Sequence, residues 1–340
     1  MAEAILIQDG FFLIMMLNII TLKLKFNDME RRNFIKSAVL GAVVGAVHLN
    51  SVSLIAGEKS SANPEKQVDL VAAMGWEPVD LYNNAITAMG GMKRFIKKGQ
   101  KVVVKPNIGW DRKPEFAANT NPVLVNAIIK DCLAAGASQV LVFDHTCDEW
   151  SASYKNSGIE DAAKNAGAKV VFAHDEKYFR EVSLPNAKNM KKAQIHESII
   201  DCDVWINVPI LKNHGGAKLT CAMKNFMGIV WDRGYMHKNN LQQCIADCST
   251  YAKMPVLNIV DAYRIMTQNG PKGKSIDDVQ TPKAIFMSTD IIAVDTAACK
   301  FFTQFNDKVD LDVVSHIKMG ENLNIGTTNL DSLNVIKLAK

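Results

Sequence analysis

The densest set of side chains able to do chemistry lies in residues 203–231, DVWINVPILKNHGGAKLTCAMKNFMGIVW. Lys212, His214, Lys218 and Lys224 bring four potentially cationic groups together within thirteen residues. Lys105, Lys212 and Lys224 suit charge neutralisation of a carboxylate or phosphate, and Asn107 and Asn225 add directional hydrogen bonds. Thr120 supplies a hydroxyl, and Gly215 and Gly216 offer backbone that a ligand can approach closely. His214 is the candidate proton carrier, because an unperturbed imidazole titrates near neutrality; Lys212 stands beside it, and Asp261 is the carboxylate expected to fix its tautomer. Asp144 and Asp295 are further candidates. Asp144 with His145 is alternatively half of a metal site, although adjacent residues on a strand point to opposite faces.

These residues need elements that converge. Val204, Trp205, Ile206 and Val208 read as a buried strand closed by Pro209, followed by a loop. Further strands are expected at 68–73, 101–104, 140–143, 169–172, 256–260 and 284–287. Helices are expected at 78–89, from Asn121 and Pro122 to Gly136, and at 158–166, 241–252 and 291–302. That alternation predicts an α/β fold, a mostly parallel doubly wound sheet with helices on both faces, in one domain or two intimately joined lobes. Five strands then end in polar residues, at Lys105/Asn107, Asp144/His145, Lys212/His214, Asp261 and Asp290. In a parallel sheet such ends share one edge, where open α/β sheets bind their ligands.

The 340 residues are 48% hydrophobic and 22% charged, enough for an ample core. A net charge of +4 is too small to argue for nucleic acid. The sequence contains no P-loop, G-x-G-x-x-G fingerprint, G-x-S-x-G elbow or H-E-x-x-H motif. Seven cysteines leave at least one unpaired, which fits buried thiols or a metal ligand better than a disulfide framework. Cys244 and Cys248 share a helix face without the close C-x2-C-x2-C run of a ferredoxin segment, and read as packed thiols.

The N-terminal part divides into 1–28, an expected over-extension ahead of Met29; 29–57, a targeting signal; and 58–67, a polar linker to the domain at 68–340. ERRNFIK at 30–36, followed by an uncharged stretch rich in Ala, Gly and Val, resembles a twin-arginine signal, with Glu30 where Ser or Thr is usual. That resemblance implies export of the folded chain by the twin-arginine translocase to the periplasm or another extracytoplasmic space. Membrane contact is then expected only through an uncleaved signal segment.

VVVKPNIG (102–109), NTNPVLVNAIIKDCLAAGASQVLVFD (119–144), INVPILKNHGGAKLTCAMKNFMG (206–228), Asp261 and IIAVDTAAC (291–299) together resemble the family called domain of unknown function 362. The resemblance implies that Lys105, Asn107, Lys212, His214, Lys224, Asn225 and Asp295 occupy family motif positions. It implies no reaction. Some members carry an appended ferredoxin-like cluster domain that this sequence lacks, so the cofactor stays open between none, a metal and an iron–sulfur cluster. The expected function is an exported enzyme, an isomerase or oxidoreductase, that acts on a small anion by proton transfer or redox chemistry beside a carboxylate. The alternatives are a non-catalytic anion-binding protein and a metal-dependent or iron–sulfur redox protein.

Translation from Met29 with Arg31 and Arg32 both replaced by Lys is expected to keep the protein in the cytoplasm, read by cell fractionation. Mature protein in the periplasm of that variant would exclude twin-arginine export.

Overall fold

The structure, a computed structural model, describes residues 67–340; the expected over-extension and signal, and all of the linker but Gln67, lie outside the described residues. Apolar runs rich in valine and isoleucine form most of the strands. In chain order these are β1 (Leu70–Met74), β2 (Lys101–Pro106), β3 (Gln139–Val142), β4 (Lys169–Val170), β5 (Phe179–Ser183), β6 (Lys192–His196) and β7 (Val204–Val208). They continue with β8 (Ile210–His214), β9 (Lys218–Thr220), β10 (Leu257–Met266), β11 (Val279–Gln280), β12 (Ala284–Ser288) and β13 (Val335–Ala339).

One sheet has the order β13-β1-β12-β10-β7-β2-β3-β4, with β8, β9 and β11 joined to it beside β10, while β5 and β6 pair separately. From β10 through β7, β2 and β3 to β4 the strands run parallel, as the alternation predicts. β12 is the reversal, antiparallel to both β1 and β10. Asp290 therefore leaves the sheet at the opposite edge from the other polar strand ends. Its carboxylate caps the Ile291–Phe302 helix, accepting from the Ile292 N–H at 2.8 Å and the Ala293 N–H at 2.9 Å.

Side chains alternate across β2, so Val102 and Val104 enter one core while Val103 enters the other. The Pro78–Ala88 and Pro122–Ala134 helices cover the first face with Leu81, Tyr82, Leu124 and Val125. The Ala222–Asn225, Leu241–Cys248 and Ile291–Phe302 helices cover the second with Met223, Ile245 and Ile292. Burial on both faces explains the near-continuous apolar runs. Asn121 caps its helix as expected, its side-chain oxygen accepting from the Val123 N–H at 3.0 Å behind Pro122. All seven cysteines are free and six are buried, Cys244 and Cys248 among them, consistent with packed thiols.

Two expectations fail here for physical reasons. Pro209 does not end the strand in a loop: Ile210 and Leu211 are apolar and buried, so the chain re-forms β8 and turns back as β9. Gly215 and Gly216 sit exposed at the tip of that hairpin, where the Gly215 N–H donates to the Gly270 carbonyl at 3.3 Å. Asp261 does not end a strand either, because β10 continues past it to pair with β8.

Lys105 shares the face of Val103, and the register sets Asn207 of β7 beside it, then Asn258 of β10, then Ser288 of β12. A row of buried polar side chains thus crosses an otherwise apolar sheet. The Asn207 amide donates to the Asn258 side-chain oxygen at 3.0 Å, and the Asn258 amide donates to the Ser288 carbonyl at 3.3 Å.

Candidate functional site

A pocket of about 390 Å³ opens at the carboxyl ends of the parallel strands, within the range of small-ligand sites. Lys105, which is fully buried, lies just behind the pocket residues Asp144 and Asn225. The Lys105 Nζ lies 2.7 Å from Asp144 Oδ1 and donates to the backbone carbonyl and the side-chain oxygen of Asn225, both at 2.8 Å. Two hydrogen bonds to Asn225 and the ion pair with Asp144 surround the ammonium. Burial lowers the Lys105 pKa and the adjacent Asp144 charge works against that fall. The other Asp144 oxygen accepts from the Ile108 N–H at 2.6 Å, and the Asn225 amide donates to the Asn207 oxygen at 2.8 Å. Gly228 closes over the pair: a Cβ there would stand 1.8 Å from Asp144 Oδ1 and 2.4 Å from Lys105 Nζ, so only glycine fits.

The β8–β9 hairpin supplies the second wall. Lys212 and His214 alternate onto the pocket side, and Thr220 is the register partner of Lys212. Lys212 Nζ donates to Asn107 Oδ1 at 3.3 Å, to the Pro271 carbonyl at 3.0 Å and to the Ala118 carbonyl. Burial, followed by the Lys224 charge, takes Lys212 down to about 7. Yet only the ammonium form has hydrogens for all three acceptors, so Lys212 is a fixed cation that pins two loops. His214 Nδ1 accepts from the Ala217 N–H at 3.0 Å, which leaves the ring hydrogen on Nε2. Burial and the Lys224 and Lys212 charges depress His214 to about 2, making it a neutral donor. The Thr220 hydroxyl is buried and, among the described residues, has no hydrogen-bond partner.

Lys224 differs from the other two lysines. It lies in the Ala222–Asn225 helix, whose first N–H groups are held by Asp295, accepting from Ala222 at 2.7 Å and Met223 at 2.9 Å. Lys224 faces the pocket, and among the described residues its ammonium has neither an ion pair nor a hydrogen bond. Burial, then the Arg233 and Lys105 charges, lower it to about 8. Arg233 closes the rim by donating to the His145 carbonyl at 2.9 Å, the Thr146 carbonyl at 2.6 Å and the Cys147 sulfur at 3.2 Å. His145 donates from Nδ1 to the Val230 carbonyl at 2.9 Å and stacks on Trp231 with ring centres 4.8 Å apart. Burial and Arg233 hold it neutral, near 4.

The structure brings Asn107, Asp144, Lys212, His214, Lys224 and Asn225 to the pocket and sets Lys105 just behind its wall. It does not bring the other expected residues there. The Thr120 hydroxyl accepts from the Asn107 N–H and donates to the Val208 carbonyl, both at 2.8 Å, and so ties strand ends together. Asp261 accepts from the Asn121 N–H at 2.7 Å and the Tyr263 N–H at 3.0 Å, so the backbone of Ala217, not this carboxylate, sets the His214 tautomer. Asp295 is a helix cap, and Gly215 and Gly216 form the hairpin tip. The Asp144 oxygens meet Lys105 and the Ile108 N–H, and His145 Nδ1 donates to the Val230 carbonyl. Among the described residues, no group of three or more His, Cys, Asp or Glu side chains is placed to hold a metal ion.

Sequence reading missed Thr220, Arg233, Cys147 and Trp110 as pocket residues. Cys147 had a signal, standing three residues beyond the strand-end Asp144. Arg233 had none, because its place depends on how the chain turns after Trp231.

Fold and pocket define an α/β protein with a cation-lined crevice at the carboxyl edge of its sheet. The chain belongs to the family described as domain of unknown function, DUF362, whose model matches residues 102–300, from β2 into the Ile291–Phe302 helix. It is 24% identical over 251 residues, 68% of this chain and 76% of the other, to a thylakoid-associated protein of Synechocystis sp.. Among solved structures it is similar to the lactate racemase apoprotein from Thermoanaerobacterium thermosaccharolyticum, with TM-score 0.39 and 13% identity over 70% of this chain and 58% of that one. It is also similar to a structural-genomics protein from Thermotoga maritima, with TM-score 0.45 and 11% identity over 68% of this chain and 60% of that one. The chain spans less than two thirds of either solved structure.

Two outcomes follow from this geometry. Gly228→Ala should lower unfolding stability in urea by about 3 kcal/mol or more, since breaking a buried pair typically costs 3–5 kcal/mol; unchanged stability would contradict the close approach. Stability should also fall with acidification. His145, His196, His214 and His316 are depressed to about 4, 4, 2 and 3, so their contribution is full above the unfolded value near 6.5 and is lost as pH falls. Asp261 and Asp295, raised to about 6, work in the opposite direction between about 4 and 6. At pH 5 the histidines outweigh them by about two protons, or roughly 2–3 kcal/mol per pH unit. A flat profile between pH 4.5 and 6, measured by urea unfolding at each pH, would contradict the neutral histidines.

Proposed function

We propose that the pocket binds a small carboxylate or phosphate and carries out proton transfer or redox chemistry on it, in an exported enzyme. The observation that carries this reading is the unpaired ammonium of Lys224 in a pocket that also holds the His214 Nε2–H and the orphaned Thr220 hydroxyl. A cation held in a half-buried crevice without a counter-ion costs stability, and a bound anion offsets it. Lys105 and Lys212 shape the site and add their field, but both ammonium groups are already engaged, Lys105 with Asn225 and Asp144 and Lys212 with three carbonyl-type oxygens.

Lys224 is also the better proton carrier. A group brought down to about 8 exchanges its proton close to neutral pH, whereas His214 at about 2 stays neutral and acts as a hydrogen-bond donor to the ligand. Proton movement at a carbon beside the bound carboxylate suits this pair. Export through the twin-arginine translocase belongs to the same proposal, and the thylakoid association named for the Synechocystis relative suits delivery to a membrane-bounded compartment. Among the described residues no helix is long and apolar enough to cross a membrane.

Sulfate, phosphate and a small dicarboxylate should each raise the melting temperature with the logarithm of their concentration above Kd, because a ligand at a hundred times its Kd adds about 2.7 kcal/mol. Lys224→Met should remove most of that shift while its own melting temperature, without ligand, equals or exceeds that of the wild type. An equal ligand shift in the variant would exclude Lys224 as the anion's partner.

A further inference from the structure

We propose that Cys147 is the covalent nucleophile of this pocket, acting on small carboxylates that carry an electrophilic carbonyl carbon; the anionic part of the proposal rests on the anion-site reading above. Of seven cysteines Cys147 alone is exposed. Burial of Cys132, Cys221, Cys248 and Cys299 raises their thiol pKa values and keeps them inert. Cys147 lines the pocket, and its position is fixed, since its N–H donates to the Gly109 carbonyl at 2.8 Å. Arg233 Nη1 donates to its sulfur at 3.2 Å. The Arg233 guanidinium thus holds the sulfur in place at the pocket rim.

A separate observation points to a ligand at the same place. Thr220 is only 2% exposed and lines the pocket, yet among the described residues its hydroxyl has no partner. A buried hydroxyl left unpaired costs stability unless something bound to the protein satisfies it. With the carboxylate held at Lys224, the carbonyl of the same small molecule lies within a pocket that has one thiol. The step balances without a co-reactant. The sulfur electron pair forms the C–S bond, the C=O π pair moves to oxygen, and the proton lost by the thiol ends on that oxygen, giving a hemithioacetal from an aldehyde acid.

The test compares alkylation of the intact protein by iodoacetate and by iodoacetamide, with each cysteine followed by peptide mass spectrometry and an unstructured cysteine peptide as reference. Relative to that peptide, Cys147 should favour the anionic reagent by about tenfold or more, since a cationic cleft concentrates anions by 10–10³. High sodium chloride should erase the preference without any substitution, and so should Lys224→Met. Carbon-13 labelled glyoxylate should give a hemithioacetal resonance with the wild type and none with Cys147→Ser. Peptide-like selectivity at Cys147 with no glyoxylate adduct, while sulfate still raises the melting temperature, would overturn the nucleophile and leave the anion site standing. Absence of both the sulfate shift and the iodoacetate preference would overturn the two together.

Discussion

A lysine ammonium cut off from water must find three acceptors inside the protein, and Lys105 dictates much of this fold by finding them. It recruits Asp144 from the end of β3 and both oxygens of Asn225 from the Ala222–Asn225 helix. That helix is held down by Asp295 at its start and by Asn207 through Asn225. Gly228 must be glycine because the pair leaves no volume for a Cβ. Replacing such a pair with apolar residues would in general cost little or even stabilise. Here the pair also fixes the carboxyl ends of two parallel strands against a helix, and that placement forms the pocket floor.

Among the described residues, the cations around the pocket divide into those already committed and Lys224, which is not. Lys105 and Lys212 each meet three acceptors, and Arg233 is engaged with the 145–147 loop. They are scaffolding that also sets a positive field. Burial first, then that field, lower the Lys224 pKa, and among the described residues it has no partner, which suits it to an anion. Counting lysines therefore overstates the binding chemistry. Counting unsatisfied hydrogens isolates Lys224, with Thr220 and the Nε2–H of His214 as neutral donors beside it.

Much of the fold was legible in the sequence. The helix start at Asn121–Pro122, the helix at 291–302 and the parallel run through β3, β2 and β7 follow from local pattern and turn chemistry. What pattern could not carry was direction. An antiparallel β12 has the same apolar run as a parallel strand, so Asp290 looked like a pocket residue and is a cap at the other edge. Pro209 signals a strand end, but apolar residues on both sides of it kept the chain in the sheet. Of the expected residues in the pocket, Asn107 and Asp144 arrive there because strand ends in a parallel sheet share an edge, whereas Lys212 and His214 come from the β8–β9 hairpin and Lys224 and Asn225 from a helix. Asp261, Thr120 and Asp295 do not, because a buried carboxylate or hydroxyl serves a backbone N–H as readily as a ligand, and sequence does not distinguish the two.

The central claim is that Lys224 is the free cation and that Lys105 and Lys212 are structural. A crystal structure of the protein soaked in selenate, located by anomalous scattering, tests it most directly. The account predicts one ordered selenate within hydrogen-bond distance of Lys224 Nζ, the Thr220 hydroxyl and His214 Nε2, with the acceptors around Lys105 and Lys212 unchanged. Selenate bound to Lys105 or Lys212 after displacing Asp144, Asn225 or Asn107, or a pocket in which Lys224 is paired with a carboxylate of the protein and no anion binds, would contradict it.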